Sequence, residues 1–278
     1  MIIFDGKAVA NEQKRLLKEK ISKLPQLRIY SLVFQEDHPS MIYANLKKKD
    51  AEWVGVEYEI VTLPIRTKLE EVKELLVKAG GDSAISAIIV QKPAKTLEPN
   101  PTWWSQIVSM IPQKKDVDGL RPDRVVLPAT ARAVLSIFDT ACKQLQFKPT
   151  GKVAVVLGRS EIVGKPVADE LEKRYHMIVH RFGRKELADQ PEMLKRADLL
   201  ISATGQEGLV TDDMLKQDVI VIDAGSPKAE VNTTGLFEVA SFLSPVPGGV
   251  GPMTRVCLLE NLIDMVSLQT NTGRTNDF

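Results

Sequence analysis

From about Ala8 to Lys23, the apolar residues Leu16, Leu17 and Ile21 recur among lysines at helical spacing and predict an opening helix. Leu27 to Phe34 is an apolar run of strand length. Ser40 to Val54 follows the 3.6-residue period, Tyr58 to Leu63 reads as a strand, Leu69 to Lys78 as a helix, and Ala84 to Gln91 as a mostly apolar strand. Strands alternating with helices in this way predict a parallel sheet with crossover helices. A stretch rich in Pro and Lys follows from Lys92 to Arg124, with one helical segment around Trp104 to Met110.

The pattern then begins again. Ala129 to Leu145 reads as a linking helix, Val153 to Leu157 as a strand, and Pro166 to Tyr175 as a helix. Further strands are expected at Met177 to Arg181, Leu199 to Ala203, Val219 to Asp223 and Ala240 to Leu243. This second series has the layout of a dinucleotide-binding, Rossmann-like domain. A final helix is expected from Thr254 to about Leu268, after a Pro- and Gly-rich crossing, and the polar residues after Thr270 are expected to fray. The fold class is therefore α/β, with two domains around a cleft. Residues 1–126 would form the first domain, completed by a C-terminal helix over 254–278, and 127–253 the second.

Composition narrows the class without naming a chemistry. The chain has 278 residues, 44% of them hydrophobic and 26% charged, which is ordinary for a globular enzyme. A formal charge of +1 gives no footprint for nucleic acid or an anionic membrane surface. The only cysteines, Cys142 and Cys257, have neither metal-like nor disulfide-framework spacing, which fits a reducing, cytoplasmic setting. No signal peptide is visible and no apolar run approaches the ~20 residues of a membrane span.

Three segments carry candidate chemistry. Gly158-Arg159-Ser160-Glu161-Ile162-Val163-Gly164-Lys165-Pro166 joins a strand to a helix, where backbone amides and the positive helix end can meet a phosphate. It is not the general GxGxxG fingerprint, and a plain strand-to-helix turn is the alternative. The next strand ends His180-Arg181-Phe182-Gly183-Arg184-Lys185, basic where an NAD-preferring fold carries an acid. With Arg159, these cations suit a 2′-phosphate and favour NADP, although Arg184 and Lys185 also fit a solvated loop. The second segment, Pro245-Val246-Pro247-Gly248-Gly249-Val250-Gly251-Pro252-Met253-Thr254, fixes an unusual backbone path, either for close ligand approach or as a rigid crossing. The third is Tyr43 with Lys47, four apart on one helix face. A desolvated Lys beside an aromatic ring can move protons, whereas a Lys in the run Lys47-Lys48-Lys49 is more often solvated surface.

Taken together, these segments resemble the bifunctional methylenetetrahydrofolate dehydrogenase/cyclohydrolase family over nearly the whole chain. Pro39-Ser40 precedes the Tyr-x-x-x-Lys helix, Val90-Gln91-Lys92-Pro93 matches a Val-Gln-x-Pro strand end, and Lys115 to Gly119 reads Lys-Asp-Val-Asp-Gly. The glycine turn from Gly158 and the crossing from Pro245 complete the set. The resemblance implies that Tyr43 stacks on the folate, that Lys47 handles protons and activates water, that Gln91 is its polar partner, and that Asp118 holds the pterin. It places Pro247, Gly248 and Gly249 at the substrate. It places Gly158, Arg159, Ser160, Val163, Gly164, His180, Arg181, Thr204, Gly205 and Asp223 at NADP. It implies no metal, a homodimer through the nucleotide-binding domain, and a place in one-carbon metabolism and purine biosynthesis.

The chain departs from the family pattern at three places. Pro93-Ala94-Lys95 stands where relatives have Pro-Leu-Pro. A shortened connection ends in Pro128-Ala129-Thr130-Ala131-Arg132-Ala133 instead of Pro-Cys-Thr-Pro-x-Gly. Ala224-Gly225-Ser226-Pro227 replaces Gly-Ile-Asn after Asp223. The competing functions are a dehydrogenase without the hydrolytic step, another NADP dehydrogenase such as a shikimate-type enzyme, and a non-catalytic folate- or nucleotide-binding relative.

Overall fold

The structure is a computed structural model that describes residues 1–273, with the side chains of Arg184 and of residues 269–273 outside that description. In chain order the elements are β1 (Ile2–Ile3), α1 (Gly6–Ile21), β2 (Arg28–Phe34), α2 (His38–Val54), β3 (Glu57–Leu63), α3 (Leu69–Gly81), β4 (Ala87–Val90) and α4 (Trp103–Met110). They continue with α5 (Ala129–Leu145), β5 (Val153–Leu157), α6 (Gly164–Lys173), β6 (Ile178–Phe182), α7 (Arg184–Asp189) and β7 (Leu199–Ser202). The last are β8 (Val219–Asp223), α8 (Leu236–Val239), β9 (Ala240–Ser244) and α9 (Val250–Gly273). Two compact units result: Glu12–Ala129 with the chain from Leu258, and Met1–Asn11 with Thr130–Cys257.

In the first of these units the sheet order is β3-β2-β4, all parallel. Alternation along β2 sends Tyr30, Leu32 and Phe34 to one face, where they pack on Val72 and Leu76 of α3 and on Trp103 and Ile107 of α4. Phe34 and Trp103 meet with ring centroids 4.9 Å apart. The other face lies against α2, whose buried residues Ser40, Ala44, Lys47, Ala51 and Val54 form one stripe at helical spacing. Lys47 is part of that inward stripe, while Lys49, two positions on, is exposed.

The other unit holds a six-stranded, fully parallel sheet in the order β1-β9-β8-β7-β5-β6. Its core is rich in buried β-branched and aliphatic residues, as strands covered on both faces require: Val155, Leu157, Leu200, Val219 and Val221. The chain runs from β5 outward to β6 and then back past β5 to β7. That reversal creates a switch point at the carboxyl ends of β5 and β7, where ligands bind in such sheets.

Two boundaries differ from the sequence expectation. The first eleven residues do not belong with 12–126. Ile2 pairs in parallel with Phe242, and the Phe4 N–H donates to Leu243 O at 2.8 Å, so this short apolar strand completes the nucleotide-type sheet. The last helix begins at Val250, not Thr254. Pro252 falls in its first turn, where no intrahelical N–H donor is needed, so a Pro/Gly-rich segment becomes helical. The polar end expected to fray after Thr270 is helical backbone to Gly273, and residues 274–278 lie outside the described residues. Among the described residues, no helix is long and apolar enough to cross a membrane.

Candidate active site

The unit containing residues 12–129 brings together four residues singled out in the sequence. Lys47 is 3% exposed, and its Nζ donates to Gln91 Oε1 at 3.2 Å and to Asp118 Oδ2 at 3.0 Å. The same Nζ lies 5.2 Å from the centroid of the Tyr43 ring. A buried cation survives only with such partners: a carboxylate, an amide oxygen and the negative face of an aromatic ring. An ammonium carries three N–H donors, so one remains beyond the two committed here. The arrangement can deliver a proton or hold a water at a fixed point in a largely dehydrated setting.

Residues to which the sequence assigns no role of their own hold this cluster in place. Ser40 Oγ lies 2.6 Å from Asp37 Oδ2 and 3.0 Å from Lys92 O, and Asp37 Oδ2 also accepts the Ala94 N–H. The start of α2 is thereby tied to the segment carrying Gln91. Asp116 is buried and accepts the N–H groups of Leu120 and Arg121. Burial pushes its carboxyl above the ordinary carboxylate range, and those two bonds partly oppose the rise. Asn261 of α9 donates to Val117 O and Leu127 O. The loop carrying Asp118 is therefore fixed from both sides. The sequence signal for Asp116 was its place in Lys-Asp-Val-Asp-Gly. Asn261 gave none, being one polar residue in a long helix.

In the unit containing 130–257, Gly158 follows β5 with φ of +104°, and a Cβ there would collide with the backbone oxygen of Ala203. At Gly164 a Cβ would collide with Gly158 O. The two glycines let strand and helix approach as the glycine-turn reading requires. Gly158→Ala is expected to lower stability by at least about 2 kcal/mol, because the left-handed backbone and the collision add. Urea unfolding measures it, and an unchanged midpoint would show that the turn relaxes freely.

Ser160 caps α6: its Oγ accepts the N–H of Val163 at 3.1 Å and of Gly164 at 3.3 Å. A cavity of about 250 Å³ opens beside this turn, bordered by Gly158, Arg159, Ser160, Phe182, Gly183 and Thr204 among others. A second, of about 270 Å³, is lined by Gly158, Arg159, Gly164, Lys165 and Arg181. Backbone turn, cation set and cavities at the switch point fit a phosphorylated dinucleotide. Among the described residues no group of three His, Cys, Asp or Glu could hold a metal ion.

Several of the expected cofactor residues also serve the protein's own backbone or lie back from the cavities. Asp223 is 2% exposed and lines neither cavity. Its carboxylate accepts the N–H groups of Gly225, Glu230 and Val231, so it organises the following loop. Burial raises its pKa, and those bonds lower it. His180 stands two residues back from the strand end, and Phe182, against whose ring it packs at 6.2 Å, reaches the cavity in its place. Thr204 borders the cavity, but its N–H and hydroxyl both donate to Glu230 Oε2 at 2.8 Å, while Gly205 N–H donates to Glu230 Oε1 at 2.6 Å. Glu230, 1% exposed, is thus the buried anchor of this turn, and its sequence context gave no hint.

Arg159 and Arg181 both border the second cavity, and each is already ion-paired. Arg159 Nη2 lies 2.7 Å from Glu186 Oε1, and Arg181 Nη2 lies 2.9 Å from Asp169 Oδ1 and 2.6 Å from Glu172 Oε2. Lys185 is exposed, and the Arg184 side chain lies outside the described residues. Gly248 has φ of +110°, and a Cβ on Gly249 would strike Ser244 Oγ, so the crossing segment has the glycine-dependent path expected of it. Pro247, Gly248 and Gly249 lie in this unit, not in the unit holding Lys47.

Comparison with known proteins agrees with this geometry. Residues 4–118 match the family model for the tetrahydrofolate dehydrogenase/cyclohydrolase catalytic domain, and residues 128–270 match the model for its NAD(P)-binding domain. The chain is 35% identical to the Bifunctional protein FolD of Lactobacillus acidophilus, covering 96% of this chain and 98% of that protein. Its counterpart in Exiguobacterium sibiricum is 33% identical, over 95% and 98% of the two chains. Among solved structures, the Trypanosoma brucei methylenetetrahydrofolate dehydrogenase-cyclohydrolase, complexed with NADP cofactor and inhibitor, superimposes with a TM-score of 0.87 at 28% identity, over 97% of this chain and 98% of that one. The chain belongs to the tetrahydrofolate dehydrogenase/cyclohydrolase family.

Proposed function

We infer that this protein carries out two successive reactions on one-carbon folates. The first is NADP-dependent oxidation of 5,10-methylenetetrahydrofolate to the 5,10-methenyl form, and the second is hydrolysis of that product to 10-formyltetrahydrofolate. The observation that carries the reading is the buried Lys47, held between Gln91 and Asp118 over the Tyr43 ring. NADP supplies the hydride acceptor. The residues named at the glycine turn, Gly158, Arg159, Ser160 and Gly164, would hold its phosphates, with the Ser160 hydroxyl proton still available to donate because Oγ accepts from the helix amides.

In the hydrolytic step water adds to the methenyl carbon and loses a proton. The bond from that carbon to N5 then breaks as N5 takes a proton up and the new hydroxyl gives up its own, so the carbon stays on N10 as a formyl group and one proton is released in all. Lys47 is the group placed to move these protons, and Gln91 fixes its position. Asp118 both positions Lys47 and can accept paired N–H donors from a pterin. Tyr43 offers a ring face for stacking.

A spectrophotometric assay with methylenetetrahydrofolate, run with NADP and separately with NAD, tests the reading by following reduced cofactor and methenyl product together. Cofactor reduction with little methenyl accumulation is the expected result. Accumulation of methenyl equal to the reduced cofactor would leave a monofunctional dehydrogenase. Absence of turnover in folded protein would overturn the enzymatic reading. Assembly as a homodimer through the nucleotide-binding unit, cytoplasmic residence and a contribution to purine biosynthesis belong to the same proposal, and light scattering tests the first of them.

A further inference from the structure

The cavity lined by Gly158, Arg159, Gly164, Lys165 and Arg181 contains the cations that should discriminate NADP from NAD. Each of those three cations faces carboxylate. Lys165 pairs with Glu161 at 3.0 Å, Arg181 with Asp169 and Glu172, and Arg159 with Glu186. A guanidinium offers its best hydrogen-bonding edge to one planar anion at a time. Here Arg159 Nη2 is already shared between Glu186 Oε1 and the carbonyl oxygen of Arg181, 3.2 Å away.

Glu186 is held where it stands. Its second carboxylate oxygen accepts the N–H of Gly183, at the end of β6, at 2.9 Å, and its own backbone N–H, that of Gly183 and Arg159 together hold its carboxyl below the usual range. Gly183 borders the neighbouring cavity at the glycine turn. In dinucleotide-binding folds the acid that accepts the ribose hydroxyls of NAD lies about 20 residues past the glycine turn, at the end of the next strand. The strand end here is basic in sequence, but α7 returns Glu186 to the Gly183 N–H at that strand end and to Arg159.

We propose that Glu186 is a specificity-determining residue, whose carboxylate occupies Arg159 in competition with the 2′-phosphate of NADP and can accept ribose hydroxyls in its absence, so that the chain uses NAD alongside NADP. This rests on the reading of the glycine turn as the cofactor site. A 2′-phosphate brings up to two negative charges toward a carboxylate that must give up Arg159 or be repelled.

The test is isothermal titration calorimetry with two probes, adenosine 2′,5′-bisphosphate and adenosine 5′-monophosphate, on the full chain and on Glu186→Gln, Arg159→Gln and the double variant. Glutamine keeps an oxygen for the Gly183 N–H, and thermal melts verify folding. The expected result is that Glu186→Gln raises the bisphosphate-to-monophosphate affinity ratio by about fivefold or more, and that this gain disappears when Arg159 is also replaced. The ratio of kcat/KM with NADP to that with NAD should move in the same direction. A ratio unchanged within twofold, while Arg159→Gln still weakens the bisphosphate, overturns the role of Glu186 and leaves the cofactor site standing. If Arg159→Gln also leaves bisphosphate binding untouched, both the role and the site fall.

Discussion

Lys47→Met is expected to slow hydrolysis of the methenyl intermediate by about 10²–10⁴-fold, the range over which a positioned proton-transfer group acts. Methionine preserves most of the aliphatic stem on the buried stripe of α2 but removes every N–H, so Gln91 Oε1 and Asp118 Oδ2 lose their shared donor. The Asp118 side chain keeps 16% of its exposure, so water can reach it. The stability cost should therefore fall below the roughly 3–5 kcal/mol typical of breaking a fully buried pair. Oxidation needs the folate held in place more than it needs this ammonium, and should fall by less than about tenfold. The measurable signature is methenyl product accumulating in step with reduced cofactor in a variant that melts normally. Lys47→Arg should behave similarly, because a planar fork cannot reproduce a compact donor in this space. Retention of hydrolysis by both variants would move proton handling to another group.

Glu230→Ala should give the largest loss of stability in the nucleotide-binding unit, about 3–5 kcal/mol by urea unfolding. Four donors converge on its carboxylate: Ser202 Oγ at 2.5 Å, the N–H and hydroxyl of Thr204, and the N–H of Gly205. Ser202 and Glu230 are both buried, so alanine would strand polar groups that water reaches poorly. The Glu230 N–H in turn donates to Asp223 Oδ2 at 2.8 Å, which links the turn after β7 to the loop after β8. Because Thr204 borders the cavity beside Gly158, a KM for NADP raised about tenfold should accompany the loss. A change of less than about 1 kcal/mol would mean that another acceptor replaces the carboxylate.

The contrast between Lys47 and Asp223 shows what could be read from the residues. Lys47 was accessible because helical spacing puts it beside Tyr43, and because Gln91 and Asp118 sit in short motifs of their own. The strands β5 and β8 and the helix α5 were equally plain, since their apolar runs end abruptly at turn residues. For Asp223 the sequence is silent on the loop bonds, because an acid at a strand end can serve a ligand or the backbone of its own loop, and only the path of residues 224–231 shows the latter. Glu230 and Asn261 were silent for a related reason: their partners are backbone groups far away in the chain, and no local pattern announces a distant acceptor or donor. Glu186 was hidden because a strand end is read by its last residues, whereas a single turn of helix brings a later one back.

The pairing of β1 with β9 bears on how the chain is made. Ile2 and its partner Phe242 are far apart in the sequence, and every other strand of their sheet is translated between them. The other unit likewise waits for α9, whose Asn261 pins the loop that carries Asp118. Neither body of the protein can close on a nascent chain that stops short of these segments, so the ordinary sequence of one domain folding while the next is still being translated is not open to it. Both close only once β9 and α9 have been made. Until then, the unpaired edge of a half-built parallel sheet makes this a chain whose yield should depend on the holding chaperones available and on the speed at which β9 and α9 are translated.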